Sequence, residues 1–198
     1  MSVPSYAILC TQCDYQSSSN ATVGRYYYRD EKGQFHCERQ LAWCNDCRSI
    51  TAIEDFSDTD KAAGEIRSQL EFIRRDTGTI LSNILNVLLP SRRKWISYAS
   101  ARINNHAKYI QLATKRVGQE RCLTCGSLEV RPYKPIREGG GFKVAGVFMY
   151  HGQHGTDVEH PDCGGMFYEK AHEMRFSMVL YSKFYTTDGV FIESYLEK

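Results

Sequence analysis

The sequence predicts an α+β fold in which two β regions flank a central helical segment. Short strand-like segments bounded by turn residues occupy both ends of the 198-residue chain, for example residues 25–29 and 142–150. Between these ends, apolar residues recur at helical spacing, as at Ile66, Leu70 and Ile73. Cysteines occur only in the two β regions, so the ends of the chain carry a chemistry that the middle lacks.

The chain divides by pattern into three regions, residues 1–56, 57–119 and 120–198. In the central region we expect helices at about 58–76, 79–89 and 91–117. A cluster of capping residues at 57–60 begins the first helix, Pro90 separates the second from the third, and Gly118 ends the third. We therefore expect the two β regions to be joined by a helical middle.

The composition is that of a globular protein, with 42% apolar and 24% charged residues. This balance excludes wholesale disorder and collagen-like character. The longest apolar-rich stretch, residues 80–89, is half of the roughly 20 residues that a membrane crossing needs. The first residues lack a basic stretch followed by an apolar one, so we expect a cytoplasmic protein without membrane insertion.

Six of the eight cysteines fall in C-x-x-C pairs, and a seventh lies in an H-x-x-C pair. A gap of two residues suits a tight turn that aims two side chains at one metal ion. Chain order groups the pairs into two sets. The first set is Cys10 and Cys13 with Cys44 and Cys47, and the second is Cys122 and Cys125 with His160 and Cys163.

Both sets have the donors that a structural zinc site uses, since Zn²⁺ binds thiolate and neutral imidazole in one tetrahedral site. A reducing cytosol disfavours the alternative, disulfide bonds. The sequence therefore predicts two structural Zn²⁺ ions as cofactors. His151 and His154 are rivals of His160 for the fourth position of the second set. Cys37 is left over, and we interpret it as a small buried apolar residue, with a substitute ligand role as the alternative.

The segment from His160 to Gly165, His-Pro-Asp-Cys-Gly-Gly, resembles the C-P-x-C-G-G knuckle of the zinc-ribbon superfamily, with His in place of the first Cys. The first set resembles zinc ribbons by spacing alone. The resemblance covers residues 6–56 and 120–195. It implies an N-terminal zinc ribbon in residues 1–56 and a second ribbon-like β region in 120–198, each with its own ion. Zinc ribbons serve transcription, translation, nucleases and plain scaffolding, so the resemblance does not select a function.

Residues 77–119 contain seven basic residues and no Asp or Glu, whereas the whole chain has a net charge of only +2. On a helical wheel, one face of the third expected helix is apolar and the other is basic, with tyrosines among the cations. Such a face can hold phosphates and stack bases, or bind an acidic protein. The alternative is a solvated face whose cations pair with acids elsewhere. The candidate polyanion-binding residues are Arg93, Lys94, Arg102, Lys108, Lys115, Arg116, Tyr98 and Tyr109.

The favoured function is a non-catalytic zinc-binding adaptor that engages a polyanion, either nucleic acid or an acidic protein surface. One alternative is a protein–protein partner, such as a small subunit of a complex or an inhibitor or immunity-type protein. A second alternative is a zinc-dependent hydrolase that uses the second set, because His151, His154, Asp157 and Glu159 crowd near Cys163. The chain lacks the deaminase, H-E-x-x-H and G-x-S-x-G motifs, which favours a non-catalytic role.

Overall fold

The fold class expected from the sequence is confirmed: β sheets flank a central helical segment. A computed structural model describes residues 2–3, 5–78, 89–144, 147–171, 176–177 and 180–196. Helix α1 spans Thr59–Thr77 and helix α2 spans Pro90–Arg116, close to the helices expected at 58–76 and 91–117. The helix expected at 79–89 lies, except for Leu89, outside the described residues.

The strands before the helices are β1 (Ser2–Val3), β2 (Tyr6–Cys10), β3 (Gln16–Ser18), β4 (Arg25–Asp30), β5 (Gly33–His36), β6 (Arg39–Cys44) and β7 (Ser49–Glu54). A 3-10 turn at Ser19–Thr22 follows β3. The strands after the helices are β8 (Val130–Pro132), β9 (Gly141–Val144), β10 (Val147–Tyr150), β11 (Gln153–Glu159), β12 (Met166–Ala171), β13 (Phe176–Ser177), β14 (Tyr181–Tyr185) and β15 (Phe191–Leu196).

Three sheets form the body of the protein, with strand orders β11-β12-β2-β3, β15-β14-β4-β5 and β7-β6-β8. Strand β14 runs parallel to β4, and the other neighbours in these sheets are antiparallel. Two small antiparallel pairs, β1 with β13 and β9 with β10, complete the described strands. Each of the three sheets contains strands from both sides of the helical segment, so the two ends of the chain interleave.

Among the described residues, the largest apolar cluster joins α2 to the sheet of strands β4 and β5. Tyr26 and Tyr28 of β4 pack with Phe35 of β5 and with Leu112 and Ala113 of α2, and all five are buried. Helix α2 also packs along α1. Burial of this apolar and aromatic face fixes the C-terminal half of α2 on the β body. Neither described helix combines the length and the apolar character that crossing a membrane would require.

Candidate metal centres and the basic helix

The structure brings eight cysteine and histidine side chains together in two groups of four. Within each group, the candidate ligand atoms all lie within 4.8 Å of one another. We call the first group the Cys₃His cluster; its members are Cys10, Cys13, His160 and Cys163. We call the second group the Cys₄ cluster; its members are Cys44, Cys47, Cys122 and Cys125.

The pairing of the knuckles differs from the one expected, which was wrong. Chain order predicted that the knuckle of Cys10 and Cys13 would meet that of Cys44 and Cys47. Instead, the first knuckle in the chain (Cys10, Cys13) meets the fourth (His160, Cys163), and the second (Cys44, Cys47) meets the third (Cys122, Cys125). Sheet topology is the cause. Strand β12 adds directly to β2, with Phe167 opposite Cys10, so the knuckle before β12 reaches the knuckle after β2. Strand β8 adds to β6, with Val130 opposite Cys44, and this pairing brings the third knuckle to the second.

The spacing of the Cys₃His cluster fits a tetrahedral ion. Cys10 Sγ lies 3.4 Å from Cys163 Sγ, and His160 Nδ1 lies 3.2 Å from the sulfurs of both Cys13 and Cys163. Zn–S bonds of about 2.3 Å at tetrahedral angles place two sulfurs about 3.8 Å apart, and the shorter Zn–N bond brings nitrogen closer. The donor set of three thiolates and one imidazole is one that zinc accepts.

The Cys₄ cluster has the same dimensions. Cys44 Sγ lies 3.6 Å from Cys125 Sγ, and Cys47 Sγ lies 3.8 Å from Cys122 Sγ. All the cysteines are free thiols, and these separations are far above the roughly 2.05 Å of a disulfide bond. Thr51 Oγ1 lies 3.2 Å from Cys122 Sγ, a contact that no sequence pattern indicated.

Residues with a positive φ angle follow three of the four knuckles. Gly126 after Cys125 has φ 80°, and Gly164 after Cys163 has φ 73°. The corresponding residue after Cys47 is Arg48, the one described non-glycine residue with positive φ, at 49°. In these three knuckles the left-handed conformation turns the chain back after the second ligand.

Gly165 meets a different requirement, because it lies directly against the Cys₃His cluster. A Cβ atom at this position would come 2.6 Å from Cys10 Sγ and 3.0 Å from the Gln12 amide nitrogen. Only glycine allows this approach.

Aromatic rings enclose His160 and fix its orientation. The rings of Tyr15, Trp43 and Phe167 have centroids 5.0, 5.0 and 5.1 Å from the imidazole centroid. His160 Nδ1 faces the sulfurs, while Nε2 lies 3.7 Å from Asp162 Oδ2. The enclosing rings thus hold Nδ1 towards the three sulfurs.

The rival histidines lie elsewhere. His154 is buried on β11 with Glu169 as its cross-strand neighbour, and exposed His151 packs against Phe142. The leftover cysteine, Cys37, is completely buried in the apolar cluster between the sheet and α2, as expected for an apolar role. Burial raises the pKa of its thiol to about 12.

Hydrogen bonds lower the pKa of Cys10 in the first cluster and of Cys122 in the second. Burial raises the pKa of Cys10, but hydrogen bonds from the Gln12 amide and from Cys163 lower it to about 6. Burial likewise raises the pKa of Cys122, but hydrogen bonds to its sulfur lower it to about 7. One comes from the Thr51 side chain and two come from backbone amides. Burial and the neighbouring sulfurs then raise the pKa of Cys44 to about 11. A bound divalent cation would remove this repulsion and allow all the donors of a cluster to be deprotonated.

The chain matches no protein-family model, no curated protein and no solved structure. What the two centres can do therefore rests on their own geometry. Zinc bound there would supply cross-links between distant strands, because each cluster joins one knuckle from before the helices to one from after them.

The basic face expected on the third helix is only partly present on α2. Arg116 is 9% exposed and forms two hydrogen bonds to Glu54, which is completely buried at the end of β7. Tyr109 is 4% exposed, and its hydroxyl donates to the Asp55 carbonyl. Both side chains are therefore mostly buried and offer little surface to a polyanion, although each reaches the wall of a surface crevice. A helical wheel missed this because it does not show which part of a helix the sheets cover.

Two further cations of the expected face form ion pairs with carboxylates. Lys108 Nζ lies 3.0 Å from the Asp30 carboxylate, and its side chain is mostly buried. Arg102 lies 2.9 Å from Glu65, with both side chains near 40% exposure. Lys115 is exposed beside the crevice that Asp30 and Asp188 also line.

The N-terminal part of α2 carries the remaining residues of the face, and they are exposed. Arg93 and Lys94 lie at the surface, and Tyr98 is 58% exposed. Trp95 is 62% exposed and meets the Tyr98 ring edge-on, with centroids 6.3 Å apart. Sequence reasoning selected Tyr98 but not Trp95, although Trp95 lies three residues earlier on the same helix face.

Proposed function

We propose that this protein is a non-catalytic binding module whose fold is held by two structural zinc ions. The observation that carries the proposal is that each cluster offers four protein donors within 4.8 Å of one another. Four-coordinate sites made entirely of Cys and His are typical of structural zinc, whereas catalytic zinc keeps a position for water or substrate. The hydrolase alternative would need one of the four donors of the Cys₃His cluster to be displaced.

The metal part of the proposal is tested by metal analysis of purified protein. We expect two equivalents of zinc per chain. Substitution of Co²⁺ should give absorption bands of tetrahedral thiolate coordination, with different spectra for the Cys₃His and Cys₄ clusters. A chain that carries no transition metal, or a cobalt spectrum typical of six-coordination, would contradict it.

We further propose that the module engages a polyanion through the exposed N-terminal part of α2. Lys94 and Arg93 lie at the surface there, Arg102 is partly exposed, and α2 itself contains no acidic residue. Trp95 and Tyr98 add exposed ring surface next to these cations. Cations beside aromatic rings match a ligand that carries many negative charges.

The polyanion part is tested by binding to heparin at several salt concentrations. Affinity should fall steeply with salt, since binding would release counterions. Lys94→Glu and Arg102→Glu should weaken binding strongly, while Lys134→Glu, an equal charge change at an exposed site distant in sequence, should have a small effect. Equal effects of all three variants would show that only net charge matters and would contradict a site on α2.

A protein partner remains the second candidate, and strand β15 is the observation that favours it. This strand lies at the edge of its sheet among the described strands, and Phe191, Tyr195 and Leu196 are each at least half exposed. Exposed edge strands offer unpaired backbone groups that a strand of another chain can join. Ile192→Lys would place a charge on this edge and should release a co-purifying subunit without changing the zinc content.

A further inference from the structure

Seven residues of α2 form one stripe with alternating spacing of three and four. These residues are Trp95, Tyr98, Arg102, Asn105, Tyr109, Leu112 and Arg116. Residues at such spacing lie on one face of a helix. The last three are buried against the β body, but Trp95 and Tyr98 at the other end are 62% and 58% exposed. The same face of α2 therefore packs in the core at the C-terminal end of the helix and is exposed to solvent at its N-terminal end.

A crevice opens where this stripe leaves the β body. It has a volume of about 440 Å³ and lies between α2 and the end of β5 with the residues that follow it. Tyr98, Arg102 and Asn105 line it from α2, and His36 and Glu38 line it from the other side. Glu38 Oε1 lies 3.2 Å from His36 Nδ1, and this contact lowers the pKa of the Glu38 carboxyl.

We propose that the polyanion is a single-stranded nucleic acid and that this crevice takes one of its unstacked bases. This inference rests on the polyanion-binding function proposed above and names its ligand. Tyr98 presents a ring on which a base can stack, and Trp95 extends that surface. The Asn105 amide and the Glu38 carboxylate supply the donors and acceptors that a base edge needs, and Arg102 and Lys94 lie where the backbone phosphates would follow.

A second set of aromatic contacts adjoins the crevice at His36. The ring of His36 meets Tyr27 edge-on, with centroids 6.0 Å apart, and Tyr27 stacks on Phe184 at 5.4 Å. His36, Tyr27 and Phe184 lie at paired positions of the neighbouring strands β5, β4 and β14. Phe184 is itself buried, so exposed His36 and partly buried Tyr27 are the rings that a second unstacked base would meet, and a single strand offers such a base where a duplex does not.

An acidic protein surface fits this region less well, because it would place further carboxylates beside Glu38 and Glu65, the partners of His36 and Arg102. A nucleic acid has alternating chemistry, with phosphates for the cations and neutral bases for the rings and for Glu38. The carboxylate of Glu38 can accept from an exocyclic amino group of a base. The observed mixture of cations, rings and one crevice carboxylate therefore favours nucleic acid.

The experiment measures binding of the zinc-loaded full chain to labelled oligonucleotides of ~12 nucleotides, a length within the usual range of single-strand sites. The probes are single-stranded RNA, single-stranded DNA, a duplex of the same sequence, heparin and a polyglutamate peptide. Trp95 supplies an independent signal, because the only other tryptophan, Trp43, is buried. Stacking on Trp95 should quench its fluorescence. The two single strands distinguish RNA from DNA as the source of the ligand.

We expect single strands to bind more tightly than the duplex. Tyr98→Ala and Trp95→Ala should each weaken single-strand binding by about ten-fold or more and leave heparin binding within about two-fold. Tyr181→Ala is the matched control, since Tyr181 is 44% exposed on β14 and does not line the crevice. Because the substituted side chains are exposed, the variants should keep their zinc content and circular dichroism spectrum.

Three results would overturn the inference while leaving the polyanion proposal intact. These are equal affinity for duplex and single strand, equal losses of heparin and single-strand binding in Tyr98→Ala, and tight binding of polyglutamate. A protein that binds none of the probes, heparin included, would instead overturn the polyanion proposal itself.

Discussion

The Sγ atoms of Cys10 and Cys163 lie 3.4 Å apart, although the two residues are 153 positions apart in the chain. An ion pair joins the two clusters. Arg48, which follows Cys47 of the Cys₄ cluster, lies 2.8 Å from the carboxylate of Asp162, which precedes Cys163 of the Cys₃His cluster. The two metal centres thus connect chain segments on both sides of the helices and are also connected to each other. Loss of one centre should therefore affect both ends of the chain.

The pairing of knuckles predicts which double variants lose which ion. Cys10→Ser with Cys163→Ser removes two donors from the Cys₃His cluster and should leave one zinc per chain. Cys10→Ser with Cys44→Ser removes one donor from each cluster and should weaken both sites. Zinc content after dialysis against a mild chelator measures the difference.

The same pair of variants distinguishes this arrangement from the one that chain order suggests. If Cys10 and Cys44 served a single ion, their double variant would keep one tightly bound zinc. The Cys10 and Cys163 variant would then be the one that weakens both sites. Cys37→Ala is the control and should keep both ions, because Cys37 lies in an apolar cluster apart from both centres.

Spacing alone selected the eight donors that the structure brings together, because two residues between donors is a local property of a turn. It could not select their partners, because the C-x-x-C turns are locally equivalent. Which knuckles meet depends on β12 adding to β2 and β8 to β6, and such pairings join strands more than 80 residues apart. Sequence patterns favour neighbours in the chain, and this fold places distant strands side by side.

For the helices too, local features could be predicted from the sequence and long-range contacts could not. Periodicity and capping residues located α1 and α2 to within one residue at each end. The burial of Arg116 and Tyr109 was not predictable, because Glu54 and Asp55 reach them from β7 and the residues after it. The available signal was a carboxylate at the end of an apolar-rich strand, Glu54 of β7, and its partner could be found only in three dimensions.

Gly165→Ala should weaken the Cys₃His cluster selectively. The new methyl group would lie 2.6 Å from Cys10 Sγ, so either the sulfur or the turn must move. Overpacking of this kind costs about 1–3 kcal/mol, and here the cost should appear as a lower affinity for one zinc. Competition with a chromophoric chelator measures the affinity of each site.

Gly155→Ala is the matched control for that variant. Gly155 lies on β11 of the same sheet, and a Cβ atom there would meet nothing within 4 Å. The zinc affinities of the Gly155→Ala variant should equal those of the unmodified chain. Equal effects of both substitutions would show that the proximity of Gly165 to Cys10 has no energetic consequence.

The buried ion pair between Glu54 and Arg116 should matter far more than the exposed pair between Glu65 and Arg102. Glu54 accepts from Arg116, from the Tyr28 hydroxyl and from the Arg121 amide while completely buried. Glu54→Gln leaves the Arg116 charge without its partner and should lower the free energy of unfolding by about 3–5 kcal/mol.

Glu65→Gln is the comparison, because both side chains of that pair are near 40% exposure. The free energy of unfolding should change by about 1 kcal/mol or less. Urea denaturation with zinc present measures both variants. A Glu54→Gln chain as stable as Glu65→Gln would show that the interior of α2 tolerates an unpaired guanidinium, against the arrangement described.

Acid should release the metal and then loosen the sheets. Metal binds only to deprotonated thiols. In the metal-free protein, burial raises the pKa of Cys44 to about 11, so this thiol must release its proton when metal binds. Affinity should therefore rise with pH over the neutral range and fall on acidification, with protons released when zinc is added. Calorimetry in buffers of different ionisation enthalpy counts these protons, and no release would contradict this account.

Removal of zinc by a strong chelator at neutral pH should have the same structural result. Cys10, Cys44 and Cys122 are buried in apolar clusters of the β sheets, so loss of the ions removes cross-links from the interior of those sheets. Structural zinc stabilises small modules by about 10–16 kcal/mol, which is comparable to the whole stability of a typical domain, roughly 5–15 kcal/mol. Circular dichroism should lose its β contribution first, while α1 and α2, which pack on each other, retain more of their signal. Unchanged β structure after complete loss of zinc would show that the interleaved strands hold without the two centres.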